Sequence, residues 1–380
     1  MRGADHAAGP RWRRGLAWAG GGSLGALLLA LGVLCLTSGC SSAGYLWQSA
    51  GGHLSLLHSA RPVDDWLQDP QTDATLRDRL VLSQQLRTFA VQALALPDNP
   101  SYRRYTDLHR EAAVWNVVAA PELSLTLQTW CFPVVGCVGY RGYFDEAAAQ
   151  AEGAALRAEG QEVSVYPVPA YSTLGMSNWL GGDPLLSTFI RWPEGELARL
   201  VFHELSHQVV YVAGDTAFNE SFATTVEQIG AQRWLAQHGS PAARQAYAQA
   251  EQRRADFRAL TGRTRAALLA LYAGPLDVAA QRARKAAVMA TMRADYAALR
   301  DGPWQGYRGY DVFFAQANNA SLGVLGAYLV WVPAFQTLFT QEGENLPRFY
   351  AAVQRLADLP PAERERRLQA LMPTTPTKEN

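Results

Sequence analysis

Two histidines four residues apart with a glutamate between them, in Phe202-His203-Glu204-Leu205-Ser206-His207, are the side chains best suited to chemistry in this chain. On a helix, residues four apart lie one above the other on one face, so both imidazoles can reach a single cation. Glu204 projects beside such a cation, where a carboxylate can take a proton from an activated water. This HExxH arrangement points to Zn2+; iron, cobalt or manganese are the other ions its donors accept. Helices often carry His and Glu on a solvated face, so the stretch that follows matters: Gly214-Asp215-Thr216-Ala217-Phe218-Asn219-Glu220. Gly214 terminates a first helix, Asp215 or Thr216 caps a second, and Glu220, 13 residues beyond His207, returns beside it as a third ligand. Three protein ligands leave a fourth position for water, which is the catalytic pattern; four would be structural.

Other residues offer less specific chemistry. Glu227, seven residues after Glu220, shares its helix face. It is the rival third ligand, a carboxylate that orients a histidine, or an ordinary surface residue, and Glu220 itself could serve only the helix dipole. Tyr307, Tyr310 and Tyr328 carry hydroxyls that could meet an oxyanion, though tyrosine is common in cores. Asn318 and Asn319 form an amide pair on an apolar run, suited either to substrate backbone or to a satisfied buried position. Asp183, in a loop with glycines, could meet a substrate amine or close a turn. His53, His58, His109 and His238 have no partner at ligand spacing.

The elements that must position these residues are legible in outline. Glu194 to Val212 contains no proline or glycine after Gly195 and reads as the motif helix. Upstream, Asp73 to Leu96 has helical spacing stopped by Pro97. Val114–Ala119, Leu123–Trp130 and Val134–Phe144 read as extended, and Asp145–Glu159 as an alanine-rich helix closed by Gly160. Glu162–Pro167 returns to a strand pattern, and a loop runs from Ala170 to Pro184 with Tyr171, Met176 and Trp179 exposed. Leu185–Ile190 is one more short strand, placed to line up a substrate backbone before the motif helix. After Pro193 the chain reads as helical to Leu371, with breaks at Gly214, Gly239, Gly274, Gly302–Gly309 and Pro360. No internal repeat is evident. Strands first and helices after is an α+β pattern, here a small mixed sheet followed by a mostly helical C-terminal half.

Lys plus Arg and Asp plus Glu are both 34, which leaves no excess of basic charge for a nucleic-acid partner. Arg11, Arg13 and Arg14 precede an apolar run of 21 residues, Leu16 to Leu36, and then Thr37-Ser38-Gly39-Cys40. A run of that length could stay in a membrane, but small residues directly after it suit a secretory cleavage site. Leu36-Thr37-Ser38-Gly39-Cys40 resembles a bacterial lipoprotein box, with Thr37 where leucine is usual, which makes Cys40 the lipidated residue. Ser41 and Ser42 resemble outer-membrane sorting. In the oxidising periplasm Cys131 and Cys137 would pair across Pro133 and Gly136, a closure worth about 2 kcal/mol. Two free buried thiols are the alternative, and a zinc-thiolate site lacks a second cysteine pair.

Taken together, the chain resembles the bacterial lipoproteins labelled predicted aminopeptidases. The resemblance is carried by Trp130-Cys131-Phe132-Pro133-Val134-Val135-Gly136-Cys137, Tyr140-Arg141-Gly142-Tyr143-Phe144, Tyr171-Ser172-Thr173-Leu174-Gly175 and Asp183-Pro184-Leu185-Leu186-Ser187-Thr188. It continues in His203-Glu204-Leu205-Ser206-His207-Gln208, Phe218-Asn219-Glu220-Ser221-Phe222-Ala223 and Asn318-Asn319-Ala320. The segment Met176–Gly182 departs from the family pattern. The resemblance implies a zincin-like metallopeptidase that cleaves peptides in the cell envelope, facing the periplasm. The expected layout is a signal peptide at 1–39, a single metallopeptidase unit at 40–372 with room for two lobes, and a disordered tail at 373–380. An endopeptidase with the same site and a metal-binding scaffold without turnover are the competing readings. The expected partners are a peptide substrate and, through the lipid anchor, a membrane.

Overall fold

The computed structural model describes residues 45, 48–49, 51–132, 136–170, 173, 178–328 and 330–373, and of Trp179, Ala327 and Tyr328 the backbone only. The leader, Cys40, Tyr171, Met176, the side chain of Tyr328 and the tail from 374 lie outside the described residues. Two compact units divide the chain, residues 1–54 and 55–380. The described residues of the first are helical, and the candidate metal residues all fall in the second.

The second unit opens with α1 (55–59), β1 (Arg61–Pro62), α2 (Val63–Gln68) and α3 (Ala74–Leu94). Asp73 caps α3, accepting from the Leu76 amide at 2.9 Å, and Leu76, Leu80, Leu86 and Phe89 are buried as their spacing predicts. The strands β2 (Arg104–Thr106), β3 (Val114–Pro121), β4 (Trp130–Phe132), β5 (Gly136–Val138) and β6 (Arg141–Tyr143) follow. Next come α4 (Glu146–Ala158), β7 (Gln161–Val168) and β8 (Leu185–Leu186). They form three small sheets. The order β1-β2-β8 is mixed, with β8 parallel to β2; β6-β3-β7 is antiparallel; β4 and β5 make a hairpin. In that hairpin Cys131 faces Cys137, and the two form the expected disulfide.

Two expected strands are shorter than their sequence pattern. Leu123–Trp130 is extended only from Trp130, because Leu125 and Leu127 bury in apolar clusters without a neighbouring ladder. Leu185–Ile190 pairs only at its first two residues. The chain then turns, with the amides of Phe189 and Ile190 both donating to Leu186 O at 3.2 and 3.0 Å. Both strand residues are buried, and β8 lies at the edge of its sheet with β2 as its one neighbour among the described residues.

The rest is helical: α5 (Glu194–Ser206), α6 (Thr216–Gln237), α7 (Pro241–Ala273), α8 (Val278–Asp301), α9 (Asp311–Gln316), α10 (Asn319–Tyr328), α11 (Val332–Gln341), α12 (Leu346–Ala357) and α13 (Pro361–Leu371). α3, α5, α6, α11 and α12 share the largest apolar core, in which Phe218 meets Phe335 edge-on at 5.2 Å and Phe222 lies 5.9 Å from Phe349. α5 and α6 pack closely because Gly230 has no side chain: a Cβ there would lie 2.6 Å from Phe202. A second core joins α7, α8 and α9 through Leu260, Leu268, Met292 and a Tyr296–Phe314 stack at 4.1 Å. α7, about 50 Å long by its rise per residue, reaches both cores, with Tyr247 in the first and Leu260 and Leu268 in the second.

Candidate metal centre

α5 carries His203 and Glu204 on its last turns, and ends one residue before His207, which takes the C-cap position with φ −60° and ψ −19°. The motif helix is therefore shorter than the unbroken pattern from Glu194 to Val212 predicts. Long-range hydrogen bonds peel the chain away. Gln208 Oε1 accepts from Asn99 Nδ2 at 2.7 Å, and Gln208 Nε2 donates to Ser101 Oγ at 3.2 Å. Four residues on, the Val212 amide donates to Asn219 Oδ1 at 2.8 Å, and Asn219 Nδ2 donates to Val212 O at 2.7 Å. This pair of bonds fixes the connecting loop to the first turn of α6. Asp215 caps α6 by accepting from the Phe218 amide at 3.0 Å and holds Arg364 of α13 at 2.9 Å. The disulfide hairpin rests on the same loop: a Cβ at Gly136 would lie 2.7 Å from Gly214 N.

With α6 so placed, Glu220 faces both histidines. His203 Nε2 and His207 Nε2 are 3.2 Å apart, and Glu220 approaches them at 3.3 Å through Oε2 and 3.7 Å through Oε1. Counting one ligand atom from each, the three lie within 4.8 Å of one another. Ligands bound about 2.0–2.1 Å from a tetrahedral zinc sit roughly 3.3 Å apart, so the histidine pair fits that edge, with the carboxylate somewhat looser. Three lone-pair donors facing one another also need a positive charge between them, from a proton or a metal ion.

Glu227 resolves its alternatives by position. Its Oε2 accepts from His203 Nδ1 at 2.9 Å, on the far side of the ring from Glu220, so it orients the histidine and leaves Nε2 free for a ligand. Its Oε1 takes Arg199 Nη2, and Arg199 Nη1 lies 3.4 Å from Glu251 and 3.7 Å from Glu196. Burial opposes charge on Glu227, but Arg199 and His203 outweigh it and hold the carboxyl at about 2. Burial also opposes charge on His203, where Glu220 and Glu227 prevail and raise its pKa well above 6.5. His207, governed by burial, falls to about 4. Glu220 is lowered, its burial outweighed by His207 and then His203.

The other candidates sit elsewhere. Both carboxylate oxygens of Asp183 are taken up within its own loop, by the Thr173 amide at 2.9 Å and the Thr173 hydroxyl at 2.7 Å. Asn318 Nδ2 donates to Val163 O at 3.0 Å; Asn319 Nδ2 donates to Glu122 O at 2.7 Å and its Oδ1 accepts from Tyr272 at 2.9 Å. This amide pair ties α10 to the ends of β3 and β7. Tyr307 and Tyr310 belong to an aromatic group with Phe257 and Trp304.

Three tyrosines not singled out in the sequence feel the charge of Glu204 or Glu220 instead. Tyr211 is half-buried, its ring edge-on to His207 at 6.5 Å, and burial and the charge of Glu220 raise its hydroxyl pKa. Tyr166 on β7 is likewise raised, by burial and, to a lesser degree, by Glu220. Tyr102 stands in the left-handed region at φ 65°, 2% exposed, with a buried hydroxyl that has no hydrogen-bond partner among the described residues. Burial pushes that hydroxyl well above 10, and Glu204 and Asp183 push the same way. Tyr211, four residues after His207, continues the motif spacing and could have been found; nothing in the sequence marks Tyr102.

A family model described as "Putative aminopeptidase" matches residues 44–368. No curated protein and no solved structure matches the chain.

Proposed function

The chain belongs to that aminopeptidase family, and from this premise and the geometry of His203, His207 and Glu220 we propose that it is a zinc-dependent aminopeptidase of zincin-like build. One observation carries the reading: two imidazole Nε2 atoms 3.2 Å apart converge with a carboxylate, on the helix that also bears Glu204. His203, His207 and Glu220 would hold the zinc ion, which would supply a Lewis acid for acidifying water and polarising a carbonyl. Glu204 accepts the water proton and passes it to the departing amine. Glu227 keeps His203 in the tautomer whose Nε2 lone pair faces inward. Tyr211, beside His207 and half-open, donates to the oxyanion of the tetrahedral intermediate.

The N-terminal pattern and the Cys131–Cys137 disulfide support an exported protein anchored through lipid on Cys40, facing the periplasm and sorted to the outer membrane by Ser41 and Ser42. The family supports the exopeptidase reading. The test compares the mature protein with Glu204→Gln on free and N-acetylated peptides. Hydrolysis of free peptides alone is expected, with at least a 100-fold loss of kcat in the variant and stoichiometric metal in both. Equal cleavage of acetylated peptides would establish an endopeptidase, and no turnover by either protein a metal-binding scaffold.

A further inference from the structure

Behind the candidate ligands lies a buried cation that no step of the proposed chemistry uses. Arg199 sits one helical turn before His203 on α5, so Arg199, His203 and His207 follow one face of the chain at intervals of four. α6 answers with two carboxylates seven residues apart. Glu220 meets the imidazoles, while Glu227 meets His203 Nδ1 with Oε2 and Arg199 Nη2 with Oε1. Among the described residues Glu227 is the one hydrogen-bond acceptor of the Arg199 guanidinium; Glu251 and Glu196 face its Nη1 at 3.4 and 3.7 Å. Those two carboxylates are held in turn by Arg254, at 2.5 and 2.8 Å. The side chains of Arg199 and Glu227 are only 14% and 9% exposed, so water can replace little of what each offers the other.

We propose that Arg199 is a positioning residue for the metal centre: by fixing Glu227 Oε1 it holds Oε2 on His203 Nδ1, and so keeps His203 Nε2 aimed at the cation. A glutamate carboxylate can swing about its side-chain bonds, and one hydrogen bond to an imidazole leaves its other oxygen free. A guanidinium on that oxygen removes the freedom, because its donors stand in a rigid plane. The same contact settles what Glu227 does not do. It shares a helix face with Glu220, and with Oε1 claimed by Arg199 it is kept from turning in as a rival ligand. A carboxylate behind a ligating histidine strengthens metal binding by fixing the ring, and Arg199 extends that support by one residue. The role rests on the zinc reading of His203, His207 and Glu220.

The Zn2+ affinity of the full-length protein, measured by competition with a chromophoric chelator, tests this without any turnover. Arg199→Met should weaken binding at least about tenfold, as Glu227→Gln does. The double variant should lie within about threefold of Glu227→Gln alone, because Arg199 acts through that carboxylate. An arginine that only tied helices together would give independent losses that multiply. The visible absorption bands of the Co2+-loaded protein should move in Arg199→Met toward their position in Glu227→Gln. Where loss of a buried charge unfolds Arg199→Met, Arg199→Lys keeps the charge without the planar fork and should lose at least about threefold in Zn2+ affinity. Unaltered affinity in the folded variant, losses that multiply, or Co2+ bands left at the wild-type position would overturn the role. Wild-type protein that takes up no stoichiometric metal would instead overturn the zinc reading, and this role with it.

Discussion

α6 and α7 are consecutive helices built on opposite plans. α6 buries 13 of its 22 residues, including Asn219, Thr225 and Glu227, whereas α7 buries 5 of 33 and keeps a mostly solvated surface. A helix surrounded by protein is expected to be apolar all round, because each buried polar group must find a partner. α6 departs from this, and its buried polar groups are engaged. Asn219 fixes the loop from α5, Glu227 joins His203 to Arg199, and Thr225 bonds back to Ser221 O at 2.8 Å. Such arrangements contribute little net stability and lose much when one partner is removed. The contrast teaches that α6 sacrifices burial of apolar surface to hold a constellation, while α7 holds the scaffold with ordinary apolar contacts.

That division can be broken at several points. The largest effect is expected from Glu220→Ala, which should abolish stoichiometric metal binding and turnover while the far-ultraviolet circular dichroism stays native. Metal retained in that variant would move the third ligand elsewhere. Next, Tyr211→Phe should lower kcat by roughly 100-fold with KM and metal content little changed; an unaltered kcat would remove the tyrosine from the chemistry. Glu227→Gln should weaken metal binding by at least about 10-fold, as loss of a carboxylate behind a ligating histidine does, measured by competition with a chromophoric chelator. The smallest effect on the site belongs to the other helix. Leu268→Ala, at a fully buried position in the α7–α8 core, should destabilise by about 2–5 kcal/mol in denaturant titration yet leave kcat alone. If kcat fell in parallel, the two cores would be energetically one.

Tyr102 adds a sharper version of the same contrast. A non-glycine residue at φ 65° costs roughly 1–2 kcal/mol, and its buried hydroxyl, without a partner among the described residues, adds to that. The Tyr102 amide donates to Asp183 O at 2.7 Å and its carbonyl accepts from Gln84 at 3.0 Å, so the surrounding loops enforce the conformation.

Local spacing was sufficient for the parts of this protein whose physics is local. His203 and His207 share a helix face because α-helical geometry brings residues four apart together. The caps Asp73, Asp145 and Asp215 each sit three residues before the amide they satisfy, and the positive φ of Gly160 and Gly214 follows from the absence of a Cβ. Interactions across many residues decided the rest. α5 stops at Ser206 because Asn99, Ser101 and Asn219, distant in sequence, claim the loop beyond it. Leu123–Thr129 alternates like a strand yet gains its burial from clusters contributed by α7, α8 and α10. The partition between Glu220 as candidate ligand and Glu227 as its support depends on which side of one imidazole each carboxylate approaches. Two residues on one helix face are equivalent in spacing, and only the packing of α6 against α5 distinguishes them.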